Sequence, residues 1–214
     1  GVASAPFMNI GEMQNNGYEL NINFQNTTDY GFRYELGLIL SGYRNEVKKL
    51  ASNQFISNTY TRTEVGHPIS SFYGYVIDGI FQTQGEVDSH VEQSDKAIGR
   101  WKYRDVNNDG KIDSQDRAYI GNPHPDFEYS LSSRFYYKNF DLSLYIQGSQ
   151  GNDICFASKG GRDGLDFWGD YFNKSTRILN TWTPENRNAE LPEINILNPN
   201  DGLLQRILFY PRPD

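Results

Sequence analysis

Four stretches of the chain alternate apolar and polar residues with a period of two, the spacing that puts one set of side chains on each face of a strand. In the first, Tyr18, Leu20, Ile22 and Phe24 alternate with Glu19, Asn21, Asn23 and Gln25. The second sets Phe32, Tyr34, Leu36, Leu38 and Leu40 against Arg33, Glu35, Gly37, Ile39 and Ser41. The third sets Phe127, Tyr129, Leu131 and Phe135 against Glu128, Ser130, Ser132 and Arg134, with Tyr136 breaking the pattern. In the fourth, Phe140, Leu142, Leu144 and Ile146 oppose Asp141, Ser143, Tyr145 and Gln147. A polar turn, Asn26-Thr27-Thr28-Asp29, separates the first pair, and Lys138-Asn139 the second. The pattern predicts two antiparallel hairpins, with strands near 17–26, 31–44, 127–137 and 140–148.

The connections are lopsided. Both hairpin turns are short, whereas 45–126 and 149–200 are long, polar stretches far beyond an ordinary connection. Short turns at one end and long loops at the other are the layout of outer-membrane barrels, whose long loops are extracellular. A soluble β-sandwich also uses alternating strands. The loop asymmetry and the aromatic-rich apolar set favour the barrel. Membrane barrels need about eight strands to close, so the expected fold is all-β: antiparallel hairpins forming part of a large transmembrane β-barrel.

Composition sharpens this picture. Only 37% of the 214 residues are hydrophobic and mean hydropathy is -0.69, yet there are 15 Tyr and 13 Phe. A disordered chain would be poor in such residues. The formal net charge is -7 and Lys and Arg form no cluster, which excludes nucleic acid as a partner, since phosphate neutralisation needs a basic face. No apolar run is long enough for a transmembrane helix, a test to which barrel strands are invisible. Gly1 to Pro6 lack the features of a signal peptide, so an export signal is expected to lie upstream or to have been removed. Cys155 is the single cysteine, which excludes an internal disulfide.

The connections carry phrases that resemble a known family. These are Asn107-Asn108-Asp109-Gly110-Lys111-Ile112-Asp113 with Asp116-Arg117, then Tyr119-Ile120-Gly121-Asn122-Pro123 and Pro125. Tyr137-Lys138-Asn139-Phe140-Asp141-Leu142-Ser143 and Gln147-Gly148-Ser149-Gln150-Gly151-Asn152-Asp153 follow. Upstream stand Gly66-His67-Pro68-Ile69-Ser70-Ser71-Phe72-Tyr73-Gly74-Tyr75, Asp78-Gly79-Ile80-Phe81-Gln82 and Asn15-Asn16-Gly17-Tyr18-Glu19-Leu20, and downstream Trp182-Thr183-Pro184-Glu185-Asn186. In this collinear order, from residue 9 to 197, the chain resembles the C-terminal barrel segment of SusC/RagA-like, TonB-linked outer-membrane proteins (TonB-dependent receptors).

The resemblance implies a barrel of about twenty-two strands, filled by an N-terminal plug domain. It also implies a place in the cell outer membrane, surrounded by lipid, a SusD-like surface lipoprotein as lid, and energy from TonB. Oligosaccharides or peptides would be imported. The chain departs from the family at its end. Phe209-Tyr210-Pro211-Arg212-Pro213-Asp214 stands where an aromatic-terminated strand is expected, and two prolines are hostile to a central strand. A truncated or frameshifted end is the expectation, with the plug and earlier strands outside the chain.

One constellation carries candidate chemistry. Asp105, Asn107, Asp109, Lys111, Asp113 and Asp116 have the spacing of a calcium loop, in which alternate positions supply hard oxygen ligands around a glycine-permitted turn at Gly110. Asp105, Asn107 and Asp109 would offer side-chain oxygens, Lys111 its carbonyl, Asp113 a direct or water-mediated contact, and Asp116 the closing carboxylate. Asp in the closing place departs from the EF-hand pattern, and no amphipathic helix flanks the loop. The bland alternative is an acidic turn without an ion.

Catalysis has little support. His67, His90 and His124 lack zinc-ligand spacing, Gly148-Ser149-Gln150-Gly151 is not a hydrolase elbow, and Cys155 stands alone. Aromatics such as Phe72, Tyr73, Tyr75, Phe81, Trp168, Tyr171 and Phe172 either pack the loops or meet a substrate. The expected function is a non-enzymatic segment of an outer-membrane importer. The competing reading is a soluble, secreted, calcium-dependent β-domain that binds carbohydrate.

Overall fold

A computed structural model describes residues 11–51, 55–154, 176–189 and 191–193 of the protein. Four long strands form one antiparallel sheet: β1 (Gly11–Thr27), β2 (Arg33–Leu50), β9 (Phe127–Tyr137) and β10 (Phe140–Gln150), in the order β1-β2-β9-β10. The alternating stretches therefore form two hairpins, and the hairpins join through β2 and β9, with Leu38 opposite Leu131. Among the described residues, six strands of two to five residues, a short helix and a 3-10 turn lie between β2 and β9.

The register turns four alternations into one two-faced sheet. Leu20–Leu40–Tyr129, Ile22–Leu38–Leu131–Ile146 and Phe24–Leu36–Ser133–Leu144 are rows of directly opposed residues on a single face. Directly opposed residues share a face in an antiparallel pair, so the apolar halves of all four strands coincide. This face is open among the described residues: Ile22, Leu142 and Ile146 are each about half exposed. A soluble domain would need a second layer here, and none packs on it among the described residues.

Rings mark both ends of the apolar face. Near the hairpin turns, Phe32 lies 5.9 Å from Tyr34, 6.2 Å from Phe135 and 6.4 Å from Tyr137, centroid to centroid. At the other end stand Tyr18 and Tyr129. From Tyr129 to Phe135 the rise along the strand is about 20 Å, close to the height of the apolar band that aromatic girdles bracket in outer-membrane barrels.

The hairpin of β1 and β2 is longer than its alternation. It continues to Gly11 and Leu50, beyond the expected limits of 17 and 44, through residues where the apolar-polar alternation stops. There Asn45 Nδ2 donates to Asn15 Oδ1 at 2.6 Å across the pair, and Asn45, Val47 and Leu50 are buried beneath the intervening chain.

That intervening chain, 45–126, was expected as a loop and is instead a folded cap. The strands β3 (Ile56–Ser57), β4 (Thr61–Thr63), β5 (Ser71–Tyr75) and β8 (Arg117–Gly121) form a second antiparallel sheet, while β6 (Ile77–Ile80) pairs with β7 (Trp101–Tyr103). The helix α1 (Gln84–Ser89) starts at Thr83, whose hydroxyl accepts from the Glu86 N–H at 3.2 Å while Glu86 Oε2 accepts from Gln82 N at 2.9 Å. The first bond satisfies one of the amide groups that a helix start otherwise leaves open, and the second ties the residue before the cap to the first turn. Phe72, Tyr75, Ile80, Phe81 and Val87 form the cap's buried apolar set, with Phe81 fully enclosed. Its strands are too short for alternation to register, which is why periodicity did not reveal them.

Candidate functional site

The polar halves of the four strands form the other face of the long sheet, which lines the interior in a barrel. Its rows run Glu19–Ser41–Glu128–Ser149, Asn21–Ile39–Ser130–Gln147, Asn23–Gly37–Ser132–Tyr145 and Gln25–Glu35–Arg134–Ser143. The two middle rows carry amides and hydroxyls and no charge. Glu35 sits in an ion pair with Arg33, and Arg134 Nη1 approaches its other oxygen at 3.9 Å. Arg33 also lies over the Tyr136 ring, 5.4 Å from its centroid. Two shallow grooves cross this wall. One, about 510 Å³, lies near the turns beside Glu35, Gly37, Ser132 and Arg134. The other, about 430 Å³, lies nearer the cap beside Ser41, Glu128, Ser130 and Gln147. The sequence reading named none of these as site residues, although the polar half of each alternation was the signal for them.

The motif residues of the connections hold the cap to the wall. Asn45 Oδ1 on β2 accepts from Ile69 N at 2.7 Å, and Val47 exchanges backbone bonds with His67 O and Gly66 N at 3.0 and 2.9 Å. His124 bridges the two units: its Nε2 meets Ile69 O at 3.1 Å and its Nδ1 meets Tyr43 Oη at 3.2 Å. A carbonyl can only accept, so Nε2 donates to it. Asp153 Oδ2 accepts from Asn122 N at 2.7 Å, tying the end of β10 to the chain after β8. Trp182, buried, donates from Nε1 to Gln82 Oε1 at 2.9 Å, which docks one motif directly on another.

The remaining histidines are also structural. His67 stacks on Tyr119 at 3.8 Å, and Tyr119 Oη donates to Glu64 Oε2 at 2.6 Å. That bond, with Arg62 beside it, holds the Glu64 carboxyl below its ordinary range; burial and the same carboxylate push Tyr119 up. His90 packs edge-on against Phe81, and burial lowers its pKa. Phe72, Tyr75 and Phe81 are buried in the cap. Cys155, Trp168, Tyr171, Phe172 and the proline-containing end at 211–213 lie outside the described residues.

The acidic loop folds around its own amides. Asp105 accepts from Asp109 N at 3.2 Å and from Gly110 N at 2.9 Å, Asn107 Oδ1 from Asp109 N at 2.9 Å, and Asp109 Oδ1 from Lys111 N at 3.1 Å. Gly110 sits at φ +88, which explains the glycine. Asp113 pairs with Lys111 Nζ at 2.7 Å, which lowers its pKa. Asp116 is fully buried and accepts from Val106 N at 2.9 Å and Asp113 N at 2.8 Å. Among the described residues, no three acidic, His or Cys side chains gather at metal-binding distance.

Comparison with known proteins fits this two-faced wall. No family model matches the chain. TonB-dependent receptor P26 of Formosa agariphila is 30% identical over 202 residues, which are 88% of this chain and 20% of that protein. TonB-dependent receptor SusC of Bacteroides thetaiotaomicron is 28% identical over 162 residues, 69% of this chain and 15% of SusC. In sequence the chain is similar to TonB-dependent receptors, SusC among them. Among solved structures, the RagAB peptide transporter superposes with a TM-score of 0.66 at 19% identity, covering 86% of this chain and 20% of that one. RagAB in its open-open state gives 0.58 at 18% identity, covering 86% and 19%.

The chain spans about a fifth of the length of the TonB-dependent receptors it matches. Receptors of this kind are outer-membrane β-barrel proteins and transporters, not enzymes. The antiparallel sheet of the chain matches their barrel, and its four strands do not close one by themselves.

Proposed function

We propose that the chain is a section of the wall and outer cap of a TonB-dependent importer of oligosaccharides or peptides, working with a SusD-like surface lipoprotein. The observation that carries this reading is the common register of four strands, which puts every apolar half on one face and every polar half on the other. Lipid takes the first face and solute passes the second. The cap then stands outside the cell and the two hairpin turns in the periplasm. Transport by RagAB, named a peptide transporter, supports peptide as one of the two substrate classes. The test is topological, in the full-length receptor on whole cells. A tag inserted at Gly85 is accessible to antibody, and one at Lys138-Asn139 is shielded until the outer membrane is breached. The opposite labelling refutes the assignment.

The acidic loop of the cap is proposed to take a calcium ion. What supports this is the spacing of the donors: the side chains of Asp105, Asn107 and Asp109, the carbonyl of Lys111, and Asp113 and Asp116 stand in calcium-loop order around the turn at Gly110, and the ion would have to draw together carboxylates that are bonded to backbone amides in this structure. Bound calcium would offset the repulsion of four carboxylates and stiffen the loop before β8. Terbium luminescence on the full-length receptor tests it, with saturation expected between about micromolar and millimolar calcium. Equal binding after D105A/D109A, or none at millimolar calcium, refutes it.

A further inference from the structure

The two grooves on the polar wall differ in how their charges are met. In the groove near the turns, Glu35 is flanked by Arg33 and Arg134, so opposite charges stand together. The groove nearer the cap is lined by Ser41, Glu128, Ser130, Gln147 and Ser149, with Ile39. Register places Glu128 between Ser41 on β2 and Ser149 on β10. Among the described residues, no cation pairs with its carboxylate.

A carboxylate only accepts hydrogen bonds, whereas the hydroxyls and the amide around it donate and accept. The groove therefore presents a fixed negative acceptor ringed by adaptable groups. A solute with paired donors, such as vicinal hydroxyls or an ammonium, satisfies both carboxylate oxygens. A solute bearing carboxylate or sulfate brings further acceptors and a like charge, and like-charge juxtaposition acts against the wrong partner. Among the described residues, the rows next to Glu128 are neutral, and no cation there cancels that repulsion. We infer that Glu128 is a specificity-determining residue of the importer, admitting donor-rich solutes without net negative charge and rejecting anionic ones. This rests on the import reading above.

The experiment uses cells displaying the full-length receptor with its partner proteins, and four fluorescent probes: maltohexaose, hexagalacturonate, a lysine-rich hexapeptide and a glutamate-rich hexapeptide. The two glycans and the two peptides distinguish the source of the donors. Antibody labelling of whole cells normalises for display. The native receptor is expected to favour the neutral or basic member of at least one pair by about tenfold over its acidic counterpart. E128Q, nearly isosteric, is expected to keep uptake of the favoured probe while that ratio collapses towards unity, and E128K to reverse it. Preference for an acidic member by the native receptor overturns the inference, as does a ratio unchanged in both variants. Uptake of no probe by displayed receptor overturns the import reading and the inference with it. The outcomes are distinguishable, because in the first two transport persists.

Discussion

The ring of Tyr129 lies across Gly148 on the neighbouring strand, so close that a Cβ added at Gly148 would stand 2.6 Å from the tyrosine hydroxyl. Tyr18 stands in the same relation to Gly42, at 2.9 Å. Both pairs lie on the apolar face near the cap, where a ring covers the gap that a glycine leaves between strands. In the full-length receptor, Gly148→Val should displace Tyr129 and destabilise the wall by about 1–3 kcal/mol. The measurement is the fraction of folded barrel that resists unfolding as temperature rises in detergent. Gly148→Val/Tyr129→Ala should recover part of the loss, since it removes the colliding ring. No loss in the single variant would show that the ring has somewhere else to go.

By itself, the chain should not be stable in water. The long strands β1 and β10 are the edges of its sheet, and the apolar face is uncovered among the described residues. Unpaired edges beside exposed apolar surface promote association. Expressed alone and placed in detergent-free buffer, the chain is expected to aggregate. A monodisperse monomer with a cooperative melt would contradict the lipid-facing assignment.

Asp116 should matter to the cap whether or not calcium is present. Its buried carboxylate accepts the N–H groups of Val106 and Asp113, and a buried donor stripped of its acceptor costs about 1–3 kcal/mol. Asp116→Ala should therefore make 105–116 sensitive to protease in calcium-free buffer. Asp109→Ala, at an exposed position, should change nicking far less. Equal nicking of the two variants would remove Asp116 from its structural role.

The Glu64–Tyr119 bond predicts an acid limit for the cap. Glu64 has its pKa lowered from 4.5, chiefly by the Tyr119 hydroxyl. Its contribution is therefore fully present above about pH 4.5 and is lost as pH falls through the lowered value. Tyr119 is shifted the opposite way, so its contribution holds throughout the neutral range and is lost only at strongly alkaline pH. Hydrogen exchange at β4 and β8 should rise as the medium is acidified below that limit. Tyr119→Phe should exchange faster at neutral pH and show a weaker acid-dependent step. An unaltered acid step in this variant would place its origin elsewhere.

The alternation of Tyr18 to Gln25 with that of Phe32 to Ser41, and of Phe127 to Phe135 with that of Phe140 to Gln147, determined two hairpins and their two faces. Strand geometry assigns a residue to a face by its position alone, whatever its partner. The phrases around Asn107–Asp113 and Trp182–Asn186 likewise carried the family relationship without any fold. Only the tertiary structure decided that β2 pairs with β9, because the residues between them, 51–126, leave the partner of an edge strand unspecified by local pattern. That pairing is what brings Arg134 to Glu35 and sets Glu128 opposite Ser41. The cap was hidden for a related reason: its strands are short, and Phe81 and Trp182 are buried by neighbours distant in sequence. Asp116 shows the same limit, since a carboxylate spaced as a calcium ligand also suits a buried acceptor of backbone amides, and spacing does not distinguish which atoms its oxygens will meet.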